Sequence, residues 1–397
     1  MVLLLSLLFS TAALAVDPLV TIKNGTLAGI NGTKYNQDLF LGIPYAQPPL
    51  GNLRYRLPQS LNWRWKTPKD VKSYGPRCWE RAGPLPGETD DVVHNEDCLT
   101  LSVIRPKDAK GLLSVVVWIH GGDLVNGGSS FPRYDMQNFV GVSQKYGQPV
   151  VAVSIQYRLG GFGFLGGSEV LKEKVANLGW HDQRLSLRWI QENIAAFGGN
   201  KDKVTIWGQS AGAQSVGAHL VGWGGDTEGL FRGAISQSGG PISYEGFRNI
   251  TFLDDHYAQL LNSTNCTSLD CLRTVPAKTL STYFRAYDRP YSLPMVDGLI
   301  YTELPSISVK NGRFPKIPYM IGTCSDEEAL YTPLDINTGA DVFNFLKNAG
   351  PSDSLSDATV NRVMELYPNS PPSNLPLTYA QRNRCRGAIQ AGRYLCY

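Results

Sequence analysis

Two hydrophobic periodicities alternate along the chain. Val115 to Ile119, Val150 to Ile155 and Val204 to Trp207 are short apolar runs rich in β-branched residues, as in strands buried on both faces. Phe231 to Ser238 and Pro318 to Gly322 read as further strands, and the stretch from Glu96 to Pro106 has the alternating apolar positions of a strand. The period then changes to that of a helix. From Leu178 onward, Leu185, Leu187, Trp189, Ile190, Ile194 and Phe197 make one apolar stripe, and Ala211 to Val221 is small and apolar enough for a packed helix. Val20 to Leu27 predicts a strand, with hairpin turns at Asn24-Gly25 and Asn31-Gly32, whereas the prolines between Phe40 and Pro49 predict a loop. Tyr157 to Leu165 reads as a glycine-rich loop without the Lys-Ser/Thr ending that a phosphate cradle needs. Phe247 to Leu280 reads as helical and polar. Strands and helices in alternation predict an α/β fold with a mostly parallel sheet flanked by helices. No internal repeat interrupts it, so residues 16–397 are expected to form one domain.

Ahead of these elements, Val2 to Leu14 is an apolar run followed by Ala13-Leu14-Ala15, which fits a secretory signal over residues 1–15. The run is too short to span a bilayer, so secretion without a stable membrane anchor is expected. A net charge of +3 with 18% charged residues, and no basic block, argues against a nucleic-acid partner and for a small neutral or apolar substrate. Sequons at Asn24, Asn31, Asn249, Asn262 and Asn265 fit surface glycosylation on the secretory route. Of seven cysteines, local spacing suggests pairing Cys78 with Cys98 and Cys266 with Cys271, leaving Cys324, Cys385 and Cys396. No Cys-x-x-Cys or paired-histidine spacing supports a metal, and no cofactor is expected.

Candidate chemistry centres on Gly208-Gln209-Ser210-Ala211-Gly212. A serine on a sharp strand-to-helix turn has unfavourable backbone angles, and the flanking glycines remove the Cβ atoms that would clash there. The hydroxyl is thereby presented to solvent, and the Ala211 amide at the helix start becomes an oxyanion donor. The stretch from Phe197 to Gly212 resembles the serine signature of the type-B carboxylesterase/lipase family, which includes the cholinesterases. Glu96 to Pro106 resembles the second family signature, and the Asp182-Gln183-Arg184 helix follows family order. The resemblance implies an α/β-hydrolase fold and ester hydrolysis through an acyl-serine. In that family the loop closed by the first disulfide lies over the mouth of the site; the short loop here suggests a rim rather than a large lid.

Carried onto this sequence, the resemblance implies further site residues. The oxyanion run after the strand ending at Ile119 corresponds to Gly122 and Asp123, with Gly122 the better donor because the Asp123 carboxylate opposes a developing anion unless it turns away. His120 holds that turn. Glu327, in Asp326-Glu327-Glu328, takes the place of the acid, with Asp326 and Glu328 as competitors. The family's histidine follows the acid, yet no histidine follows His256. The C-terminal part of the family pattern is therefore expected to be absent, through truncation or an incomplete gene. His219 is expected on the wrong face of the serine helix, His181 and His256 carry no motif, and His94 in the disulfide loop is the one mobile substitute. Two readings remain: an ester hydrolase of doubtful activity, or an esterase-like binding or adhesion protein. A protease on the same fold rests on analogy alone.

Overall fold

The computed structural model describes residues 17–81, 92–242, 247–286, 293–324, 327, 333, 336, 338–348 and 355–367. Its strands are β1 Leu19–Ile22, β2 Gly25–Ala28, β3 Ile30–Gly32, β4 Gln37–Pro44, β5 Lys69–Asp70, β6 Thr100–Pro106, β7 Leu113–Ile119, β8 Val150–Ile155, β9 Gly199–Gln209, β10 Gly233–Gln237 and β11 Tyr319–Gly322. β1, β2 and β5 make a small sheet; the others form one sheet in the order β11-β10-β9-β7-β8-β6-β4-β3. Five neighbours, β8, β7, β9, β10 and β11, run parallel, while β6, β4 and β3 attach antiparallel. The apolar runs occupy the middle of this sheet. Val115, Val117, Ile119, Val151, Val153, Ile155, Val204 and Ile206 are fully buried, because helices cover both faces.

Those helices are α1 Met136–Lys145, α2 Gly160–Phe164, α3 Ser168–Lys172, α4 Leu178–Asn193, α5 Ala211–Val221, α6 Ile250–Thr264, α7 Leu269–Thr274, α8 Ala277–Ala286, α9 Pro305–Lys310, α10 Gly339–Asn348 and α11 Asp357–Leu366. The apolar stripe of α4 packs into the central core, and almost every residue of α5 is buried. A second core, with Leu253, Tyr257, Leu260, Leu269, Leu272 and Leu280, joins α3 to α6, α7 and α8. The Cys266–Cys271 disulfide closes the turn between α6 and α7, and Cys78–Cys98 ties the segment after β5 to the approach of β6. Cys324 is exposed; Cys385 and Cys396 lie outside the described residues.

Four local expectations are corrected. Phe40 to Pro44, expected as part of a loop, belongs to β4 between β6 and β3, because a bulge between Phe40 and Ile43 lets the segment keep its pairing and Pro44 falls at the strand end. Val20 to Leu27 is a hairpin of β1 and β2 rather than one strand, since Asn24-Gly25 turns the chain within it and Gly25 adopts φ +129°. Asn31-Gly32 belongs to β3, and the turn falls on the next four residues, where Asn36 adopts φ 51°. The glycine-rich segment after Arg158 winds into α2, because Gly161 and Gly163 sit where a Cβ would strike Phe284 and the Arg158 carbonyl.

Candidate active site

The parallel strands β7, β9, β10 and β11 all end at the same edge of the sheet, where ligand sites of open α/β sheets lie. Register fixes the levels: Ile119 stands beside Gly208, Gln209 beside Gln237, and Gln237 beside Gly322. The turns that follow these strands, carrying Gly121-Gly122, Ser210, Ser238 and Thr323, are therefore brought together.

Ser210 sits between β9 and α5 with φ 55° and ψ −125°, a conformation a non-glycine residue holds only where its surroundings leave no alternative. The surroundings are steric. A Cβ on Gly208 would lie 2.3 Å from the Gly212 carbonyl carbon, and one on Gly212 would lie 2.1 Å from the Ile119 oxygen. Gly121 in turn presses against the Gln209 carbonyl and the Ser210 Cβ. The elbow and the turn after β7 thus interlock: Gly212 and Gly121 each make room for the other segment's backbone, and Gly208 makes room for the start of α5. The Ser210 amide donates to the Gln237 carbonyl at 2.9 Å, and its own carbonyl accepts from Gln214 at 2.9 Å. Ala211 opens α5, where the first amides of a helix have no intrahelical acceptor.

The turn after β7 is a run of left-handed residues: Gly122 at φ 107°, Asp123 at 59° and Leu124 at 58°. Gly122 has no alternative, since a Cβ there would fall 2.1 Å from the Asn126 oxygen. The Gly122 carbonyl accepts from Val125 and Asn126 and closes the turn. Asp123 is exposed. His120 lies wholly inside: its Nδ1 donates to the Gly121 carbonyl at 2.8 Å, its ring stacks on Tyr157, and the Tyr157 hydroxyl donates to the His120 carbonyl. Burial pushes its imidazole down to about 4, so the ring is neutral and acts as a brace.

Glu327 follows β11 at the same sheet edge; it is half-buried, and its Oε1 is buried without a hydrogen-bond partner among the described residues. Asp326 and Glu328 lie outside the described residues. All five histidines are described, and each is engaged with other groups. His94 Nε2 meets Glu80 at 2.8 Å, His219 Nε2 meets Gln183 at 3.1 Å, and His256 Nδ1 donates to the Phe252 carbonyl at 2.7 Å. His181 and His219 lie edge-on and stacked against Trp223. Burial lowers both, His181 to about 4 and His219 well below its ordinary value.

Two structural ion pairs carried no sequence signal, because their partners meet only in the fold. Arg158 clasps buried Asp182 through Nε and Nη2, and Arg54 clasps Glu96 in the same way. Burial raises the Asp182 carboxyl while Arg158 opposes that shift. Among the described residues no group of His, Cys, Asp and Glu could hold a metal. A cleft of about 290 Å³, lined by residues such as Leu220, Val309, Phe314 and Tyr319, lies at the far end of α5 and the start of β11, away from the elbow. The reading of Asn24 as a surface glycosylation site is corrected. Asn24 is buried, and its side-chain amide donates to the Trp63 carbonyl at 2.7 Å. Asn249, Asn262 and Asn265 are exposed, and Asn31 is half-buried.

Comparison with known proteins agrees with this geometry. A family profile described as the carboxylesterase family matches residues 16–370. Lipase 1 of Geotrichum candidum is 35% identical over 90% of this chain and 72% of its own length. Lipase 2 of Diutina rugosa is 36% identical over 91% of this chain and 72% of its own, and Secreted lipase 1 of Botryotinia fuckeliana is 33% identical over 91% and 69%. The crystal structure of Aspergillus niger EstA superposes with a TM-score of 0.76 at 29% identity, covering 96% of this chain and 75% of that one. With the nucleophile-type elbow, the parallel sheet and these relatives in agreement, the chain belongs to the carboxylesterase family of type-B carboxylesterases and lipases and has the α/β-hydrolase fold.

Proposed function

We propose that the site hydrolyses carboxylic esters of small neutral or apolar substrates through an acyl-serine intermediate. Ser210 Oγ attacks the ester carbonyl carbon, the Gly122 and Ala211 amides, with Asp123 as a further donor, hold the oxyanion, and the alcohol leaves as the acyl-enzyme forms. Water then releases the acid. Glu327 is the acid that would orient a histidine able to take the Ser210 proton and pass it to the leaving alcohol, and no histidine follows it in this sequence. The observation that carries this reading is the strained Ser210 backbone, locked against the turn that bears Gly122.

The five histidines are placed to brace, pair or pack, and turnover by this chain alone is therefore expected to be low; loss of one triad member costs roughly three orders of magnitude or more. That placement also favours a second reading, an esterase-like protein that binds without hydrolysis. Purified protein and its Ser210→Ala variant, offered a short nitrophenyl ester, separate the two. A Ser210-dependent rate supports the enzyme; equal rates leave the binding reading. Secretion as a single domain accompanies either reading, supported by the apolar run Val2 to Leu14.

A further inference from the structure

We propose that Glu80 is a positioning residue for the oxyanion turn, tying the base of the disulfide-closed loop to the backbone that presents the Gly122 amide. The inference rests on the assignment of Gly122 as an oxyanion donor. Glu80 follows Cys78 by two residues, and its side chain has no exposed surface. A carboxylate so placed is costly unless all its lone pairs are used. Here Oε2 accepts the Gly127 amide at 2.6 Å, and Oε1 faces His94 Nε2 at 2.8 Å and Arg77 Nη1 at 3.4 Å. Arg77 and His94 lie on the two limbs of the loop, which bridge each other through Arg77 N to Val93 O and Asn95 N to Arg77 O. One carboxylate therefore joins both limbs to the turn.

The turn needs such a tie. Gly122, Asp123, Leu124 and Gly127 all have positive φ, and at Asp123 and Leu124 that conformation is unfavourable by itself. From outside, the turn is held by Gly160 N on the Leu124 carbonyl, by Arg81 N on the Val125 carbonyl and by the Glu80 carboxylate on Gly127. The first two are backbone contacts. Glu80 supplies a side-chain contact, it is charge-assisted, and it comes from the base of the disulfide-closed loop. Gly127 also packs against the Gly121 carbonyl and His120 Nδ1, so a shift there is transmitted to the residues that touch Ser210. The Glu80 carbonyl is in turn held by Arg285 Nε from α8.

The test compares the whole chain with Glu80→Ala and Glu80→Gln by hydrogen exchange of residues 121–128, with β8 as the internal control for folding. Exchange in the turn is expected to rise roughly tenfold or more in Glu80→Ala, the size of a lost charge-assisted hydrogen bond. It returns to within about twofold of wild type in Glu80→Gln, whose Oε1 still accepts from Gly127. Unchanged exchange in Glu80→Ala, or tenfold faster exchange in a folded Glu80→Gln, overturns the proposal; if the alanine variant loses β8 protection, the glutamine variant decides. In nitrophenyl acetate hydrolysis, the Ser210-dependent kcat should fall in Glu80→Ala with KM held within about twofold, and recover in Glu80→Gln. An unchanged kcat sinks the positioning role. If wild type and Ser210→Ala hydrolyse equally, the acyl-serine reading fails by itself, and the exchange experiment still judges Glu80.

Discussion

Strands β7 and β11 lie in one sheet, run the same way and end at the same candidate site, yet they are held differently. In β7, Val115, Val117 and Ile119 are completely enclosed, and the turn beyond is wedged between the elbow, Tyr157 and the Glu80 carboxylate. In β11 every residue is exposed, with Met320 at 66% and Ile321 at 58%. The Ser210 end of the candidate site therefore rests on interlocked backbone that packing makes unavoidable. The Glu327 end follows a strand hydrogen-bonded to β10 with its side chains in the open. Ser210 can carry strain because its neighbours leave its backbone no alternative, whereas Glu327 is only half-buried.

The largest effect that tests this contrast is expected at Gly212. A Gly212→Val side chain meets the Ile119 carbonyl, which the sheet cannot move, so stability should drop by about 3 kcal/mol or more and soluble yield should collapse. A variant with normal urea denaturation would mean that the elbow is not interlocked.

Acid should act on the buried side next. An unfolded imidazole titrates near 6.5, while His120 and His181 in the fold titrate at about 4. Between those values the unfolded chain binds more protons, so the stability that these two rings contribute falls as pH drops from about 6.5, at up to about 1.4 kcal/mol per pH unit for each ring, and that loss levels off below about 4. Urea midpoints measured across that window should show the slope, and His120→Asn should reduce it. An unchanged slope in that variant would show that the brace is not held neutral by burial.

Val117→Ala and Ile321→Ala set the two strands against each other directly. The first should cost about 2 kcal/mol and the second within about 0.5 kcal/mol, read by chemical denaturation. Comparable losses would erase the distinction between the strands. The smallest expected effect is a gain. Ser210→Gly removes the side chain from the unfavourable backbone and should raise stability by about 1 kcal/mol while abolishing any Ser210-dependent ester cleavage; a loss of stability would show that the elbow is relaxed.

The sequence alone determined whatever depends on neighbours along the chain. The apolar runs became β7, β8 and β9, the small apolar stretch became α5 with the bounds its composition implied, and the Gly-x-Ser-x-Gly spacing became a strand-to-helix elbow, because period and steric need are local properties. What the tertiary structure decided involves groups that meet across long separations. The Asn24 amide meets the Trp63 carbonyl, 39 residues away, Arg54 finds Glu96 at a separation of 42, and Glu80 reaches Gly127 at 47. The two glycines of the elbow were legible as a motif, but their reason lay with the Ile119 carbonyl beside Gly212 and with the Gly212 backbone beside Gly208. Burial likewise chose the roles of the histidines. Composition supplies five imidazoles, and only the packing around each one makes it a brace, a pair or a filler, since desolvation is a property of the fold rather than of the residue.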